Sequence, residues 1–330
     1  MTFLGTPVVK CVWIGCFFAP GVFGVISKGE VDDMEIGNRF QHRIIILGVI
    51  SIFMFCLLVE NALALTHIQY SPKVISLGGS ITAGSGSCMG EALSQNPATL
   101  VNAEMGVLFN YNNPFGFKGY GANSISLSGR VKGTGLAFIY CGEETALPEE
   151  SQGQIINNFY NEKIFGAGIA RHLLGDFNIG LAFWQQGRRF SFLEEPGVSD
   201  AVKTDSYLDI GLTYDTNWWS CGMVIKSIPI ISSNYGGDEF RIGFRFGEVE
   251  RLFINLDAII NKDALGKRQT KIQMGIEGRV QPNFVFRTGI DEDGLLTYGF
   301  GFEKKRWLFN YAFQTHTLGS THFLETGYKF

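Results

Sequence analysis

From Glu104 to Phe330 the sequence alternates apolar and polar side chains with a period of two. A strand places successive side chains on opposite faces, so each such stretch reads as a strand with one apolar face. Phe240, Ile242, Phe244 and Phe246 stand against Arg241, Gly243, Arg245 and Gly247. Ile272, Met274, Ile276 and Val280 stand against Lys271, Gln273, Glu277 and Arg279. The pattern predicts fourteen strands: 104–111, 124–132, 134–140, 162–171, 177–186, 206–215, 218–226, 239–247, 251–260, 270–280, 283–291, 295–303, 306–314 and 322–330. Connections after odd strands are mostly long (112–123, 141–161, 187–205, 227–238, 261–269), and those after even strands are short. A soluble sandwich also alternates apolar and polar residues, but it has no reason to alternate its loop lengths. A barrel crossing a membrane does, with short turns on the side of both termini and longer loops opposite. The expected fold is therefore all-β, a 14-stranded antiparallel transmembrane β-barrel. Its apolar face points to lipid, and its charges and glycines point to the lumen.

Composition agrees. Charged residues make up 18% of the chain, against about 25% for soluble proteins. Aromatics reach 14%, glycine occurs 42 times, and a mean hydropathy of +0.11 is too low for a bundle of membrane helices. A net charge of −4 leaves no basic excess for a nucleic-acid partner. The histidines (His42, His67, His172, His316 and His322) are scattered, with His172 expected in a short turn. Of six cysteines, Cys11, Cys16 and Cys56 lie in an amino-terminal apolar region expected to be lost, and the remaining Cys88, Cys141 and Cys221 show no CxxC spacing. No catalytic group, cofactor or metal is expected, and at most one intramolecular disulfide.

The amino-terminal region has its own logic. Arg39 and Arg43 precede the apolar run Ile44–Val59, and Ala62-Leu63-Ala64 offers small residues for cleavage. This predicts a secretory signal peptide cut after Ala64; an uncleaved anchor is the alternative. The signal begins far into the chain, so Met34 is the expected start and residues 1–33 an upstream extension. The expected domains are 1–64, a segment 65–103 and the barrel 104–330.

The 65–103 segment is rich in small residues. Gly78, Gly79 and Gly90 lie among Ser and Ala, and Asn96-Pro97-Ala98 reads as a turn into a short helix, because Pro suits the first helical position. The run lacks the Gly-Lys-Ser/Thr ending of a P-loop. A barrel of fourteen strands has an interior to fill or to carry solute through, so this segment is expected to be a plug folded back into the lumen. Arg241, Arg245, Asp257, Glu277, Arg279, Arg287, Glu303 and Glu325 are the expected lumen-lining charges. They either pair with one another and with the plug, or line a solute path. Phe115, Phe117, Tyr120, Phe190 and Phe192 belong either to an aromatic girdle or to a capture site for an apolar ligand.

Two motifs carry a resemblance. LGGSITAGSGSCMGEALSQNPATL resembles the N-terminal hatch of the FadL-type superfamily, whose glycine-rich stretch precedes a short helix and an Asn-Pro-Ala motif. Acidic residues usually precede that motif; here Glu91 is followed by Ser94 and Gln95. The ending FNYAFQTHTLGSTHFLETGYKF is similar to the tail of PorV/PorQ-type outer-membrane proteins, through Tyr311, Ala312, Phe313, Leu318, Gly319, Thr321, His322, Gly327, Tyr328 and Phe330. The resemblance implies a bacterial outer membrane with termini in the periplasm. It further implies Tyr328 and Phe330 as a signal read by the outer-membrane assembly machinery, and outer-membrane lipids as surroundings. For function it implies passive passage or binding of a hydrophobic ligand. The alternative it implies is a scaffold for a secreted protein, as in type IX-like secretion.

Overall fold

A computed structural model describes residues 71–84, 89–113, 120–151, 154–191, 201–231, 239–248, 251–262, 267–316 and 319–330. The expected signal peptide, Met34, Phe115, Phe117 and Phe192 lie outside the described residues, as do the side chains of Tyr120 and Phe190.

The described chain opens with a short helix α1 (Pro72–Ser76), a second short helix α2 (Glu91–Gln95) and a 3-10 turn (Pro97–Asn102). Fourteen strands follow: β1 (Gly106–Asn113), β2 (Tyr120–Val131), β3 (Thr134–Ser151), β4 (Gln154–Leu174), β5 (Phe177–Ser191), β6 (Ala201–Asp215) and β7 (Trp219–Ile231), then β8 (Glu239–Glu248), β9 (Leu252–Lys262), β10 (Arg268–Gln281), β11 (Phe284–Ile290), β12 (Leu296–Lys304), β13 (Trp307–Gln314) and β14 (Thr321–Lys329). Every neighbouring pair is antiparallel. β1 pairs with β2 on one side and with β14 on the other, Phe109 opposite Thr326, which closes the barrel. Closure leaves no edge strand with unpaired backbone groups, the condition a sheet must meet in lipid.

The two faces separate as the alternation requires. Phe109, Leu127, Phe138, Leu181, Leu256, Phe286 and Phe302 point outward and are exposed, while Asn110, Asp209, Asp257, Arg287 and Asn310 on the other parity are buried. A soluble monomer does not expose a continuous apolar band of this size, so the outer face is a lipid face. Trp218, Trp307 and Phe330 are exposed beside the short turns. Trp307 meets Tyr328 edge-on at 5.1 Å, and Tyr328 meets Phe330 at 5.7 Å. These rings form part of the aromatic girdle expected at a membrane interface.

Strand length departs from the sequence expectation in one quarter. Much of 141–161 and 187–205 is strand rather than loop: Gly142 pairs with Lys163, Ser151 with Gln154, and Arg189 with Val202. β4 has 21 residues, about 70 Å at roughly 3.3 Å per residue, whereas the apolar band of such barrels is about 25 Å tall. Polar residues in these stretches hid the strands, because their outward positions have no lipid to face. His172 likewise lies in β4 and not in a turn.

Candidate functional site

Residues 71–84 and 89–103 lie against the inward faces of the strands. Val74, Leu77, Asn96, Ala98 and Leu100 are fully buried. Their backbone comes so close to the wall that side chains there are excluded. A Cβ on Gly180 would stand 2.3 Å from Ala98 N, and one on Gly211 2.0 Å from Asn96 Oδ1. One on Gly222 would stand 2.1 Å from Thr82 O, and one on Gly289 2.5 Å from Gly78 N. The lumenal glycines of the alternating pattern are therefore a bed for a chain segment and not gaps in it. Gly78 (φ 65°) and Gly79 (φ 84°) occupy left-handed conformations that a side chain would strain.

Asn96 ties the segment together and to the wall through several bonds. Its Oδ1 accepts from Ala98 N at 3.0 Å, capping the 3-10 turn that Pro97 opens. Its Nδ2 donates toward Thr82 O (2.8 Å), Leu212 O (3.1 Å) and Met223 O (3.3 Å), so it grips the backbone of β6 and β7. Gly90 precedes α2, close against Ser126.

Six of the eight expected lumenal charges are buried: Arg241, Arg245, Asp257, Glu277, Arg287 and Glu325. Arg287 Nε donates to Glu277 Oε2 at 2.6 Å and Arg287 Nη1 to Asn310 Oδ1 at 3.0 Å. Asn310 Nδ2 donates to Glu325 Oε1 at 2.6 Å, and Ser71 Oγ to Glu325 Oε2 at 3.2 Å. Asp257 Oδ2 accepts from Thr82 N at 2.9 Å. Arg241 bonds Glu239 and reaches Gln95 Oε1 at 3.4 Å, and Arg245 donates to Ser220 Oγ at 2.8 Å. Buried charge is tolerated only when paired in this way. The other two, Arg279 and Glu303, are less buried and border the lumen near the short turns. Arg279 is exposed where the lumen opens at the short-turn rim, bonded to Pro282 O at 3.2 Å. Glu303, half-exposed near the same rim, accepts from Lys329 Nζ at 2.6 Å. Lys226, which the alternation alone did not single out, is fully buried and donates to Ser94 O at 2.9 Å.

Beside α2 the lumen holds a small cavity of about 30 Å³, with Ile139, Cys141, Ile164, Trp184 and Tyr207 as its apolar wall. Glu91, Ser94, Asn110, Ser124 and Gln186 are among its polar lining residues, with Ser71 and Ser126. Trp184 is oriented by a bond from Nε1 to Asp209 Oδ2 at 2.8 Å. Toward the long connections stands a charged layer in which Gln186 bonds Glu162 and Arg188 pairs with Glu162 at 3.3 Å. Toward the short turns is a second, polar cavity of about 80 Å³, bordered by Lys73, Glu91, Glu277, Arg287, Asn310 and Lys329. The apolar wall escaped the sequence reading. Its signal was present: Trp184 and Tyr207 are bulky residues in phase with lumenal Gly180 and Asp209 and out of phase with the lipid face.

Comparisons with known proteins add the fold. No family model matches the sequence, and no curated protein does. Among solved structures, the chain is similar to the CymD monoaromatic hydrocarbon channel, at 13% identity and a TM-score of 0.54 over 81% of this chain and 99% of that one. It is similar to the P. putida toluene transporter TodX, at 11% identity and a TM-score of 0.54 over 80% and 98%. A Pseudomonas aeruginosa FadL homologue matches at 10% identity, with a TM-score of 0.52 over 82% and 100%. At these identities the likeness establishes the barrel architecture.

Proposed function

We propose that the protein is an outer-membrane β-barrel of the FadL-like superfamily and that hydrophobic small molecules pass through it. The observation that carries this reading is the apolar-walled chamber at Ile139, Ile164, Trp184 and Tyr207, which continues the apolar cluster of Leu93, Leu100 and Val101 and lies beside wall positions that carry buried charges. Apolar surface in such a place has a use if an apolar solute visits it. Solved structures of the same architecture include a monoaromatic hydrocarbon channel and a toluene transporter, which supports the same solute class. In this account residues 65–103 are the plug, and the chamber's small volume marks the closed state. Short turns and both termini face the periplasm. Residues 1–64 comprise an upstream extension and a cleaved signal peptide, with Met34 as start, and Tyr328 and Phe330 serve the assembly machinery.

Trp184 supplies the test. A variant keeping only Trp184, and a control keeping only Trp307, are titrated in nanodiscs with a brominated alkane. Saturable quenching of Trp184, which does not face lipid, is the expected result. Quenching of Trp307 with Trp184 unaffected contradicts the reading.

The extended strands favour a second reading. β3 to β6 run well past the apolar band as a continuous sheet, a surface suited to protein contact. A PorV/PorQ-type scaffold for secreted proteins would use it. Replacing 145–160 by a tight turn would then abolish partner binding and leave Trp184 quenching intact.

A further inference from the structure

We propose that the ion pair between Lys73 and Glu91 is the partition that separates the apolar chamber from the polar cavity on the short-turn side. The inference rests on the passage reading for its purpose, but its geometry stands on its own. Glu91 borders both cavities. Lys73 lies on α1 and Glu91 opens α2, so the pair bridges the two halves of the plug at the seam between them. Lys73 Nζ stands 3.3 Å from Glu91 Oε1, and both residues are buried. The second carboxylate oxygen of Glu91 accepts from Met89 N at 2.8 Å, which fixes its direction.

A second contact completes the partition. Ser71 donates to Glu325, and Glu325 is the neighbour of both Asn110, on the chamber side, and Asn310, on the polar side. Plug and wall are thus joined by polar bonds at the boundary between two spaces of opposite character. An ion pair suits a partition that must yield. Burying its two charges is costly, and their attraction returns a similar amount, so the net closure is shallow although each single charge is bound tightly. Removing one partner is another matter, because the remaining charge must then draw water or move to the polar cavity, and the seam opens.

Cys141 reports on the partition from inside the chamber, where it is buried. In the full chain with the other cysteines replaced by serine, held in nanodiscs, its modification rate by a small charged methanethiosulfonate is measured. Glu91→Gln and Lys73→Met each raise that rate about tenfold or more, as expected when a buried pair loses one partner. The exchange K73E/E91K returns it to near the parental value. Unchanged rates in the single variants, or an exchange as fast as they are, overturn the partition. Heat-modifiable gel migration identifies variants that fail to form the barrel. If these fail, Ser71→Ala, which keeps every charge, is expected to raise the rate by a smaller factor; a parental rate there overturns the proposal. Transport of apolar solute by the parent with all rates unmoved removes the partition alone. The predicted rates with no solute transport remove the passage reading alone.

Discussion

Asn96 concentrates at one residue the forces that hold the plug. Its amide caps the 3-10 turn and reaches the backbone of two strands. Leaving such buried groups unpartnered costs about 1–3 kcal/mol. Asn96→Ala is therefore expected to speed proteolysis between residues 71 and 103 while the barrel keeps its heat-modifiable migration. Gly211→Val acts from the opposite side: a Cβ there would overlap Asn96 Oδ1, at 2.0 Å. It too should release the plug and leave the strands formed, measured as amide exchange in α2. The Asn-Pro-Ala motif was readable in the sequence as a helix start. Its grip on β6 and β7 was not, because nothing local in a sequence records which distant carbonyls an amide will meet.

At the scale of elements, alternation was legible wherever one face meets lipid and the other the lumen. All fourteen strands were found for that reason, and β13 even to its bounds within a residue. Where β3 to β6 leave the lipid, water lies outside the sheet and the apolar outward signal fades, so strand was read as loop. The chamber wall was missed for the complementary reason: Ile139 and Ile164 are apolar residues on the lumen parity, and period alone does not say which apolar face is which. The lipid face can be tested at Leu256, an outward residue near the middle of β9. Leu256→Arg should cost about 2–4 kcal/mol near the membrane centre and less toward the rims, read from urea titration of refolded protein in vesicles. A cost near zero would place Leu256 in water.

Across the described residues, a closed wall surrounds a fastened segment. Outside, the apolar band and the aromatic rim set its place in lipid; inside, glycines admit the plug backbone and paired charges fix it. Between plug and wall lies an apolar-walled chamber, bordered on one side by Gln186, which bonds Glu162, and on the other by Glu91, which pairs with Lys73. On the proposed reading, passage requires the chamber to gain volume and so ties it to movement of the plug. The decisive measurement is uptake of a labelled long-chain fatty acid and of a labelled aromatic hydrocarbon into vesicles with lipopolysaccharide in the outer leaflet. The protein, a variant lacking residues 71–102, and Ile164→Trp, which fills the chamber, are compared with empty vesicles. The account predicts uptake above empty vesicles for the protein, more for the deletion, and a loss of most of it for Ile164→Trp. Uptake equal to empty vesicles with the plug both present and deleted would contradict it.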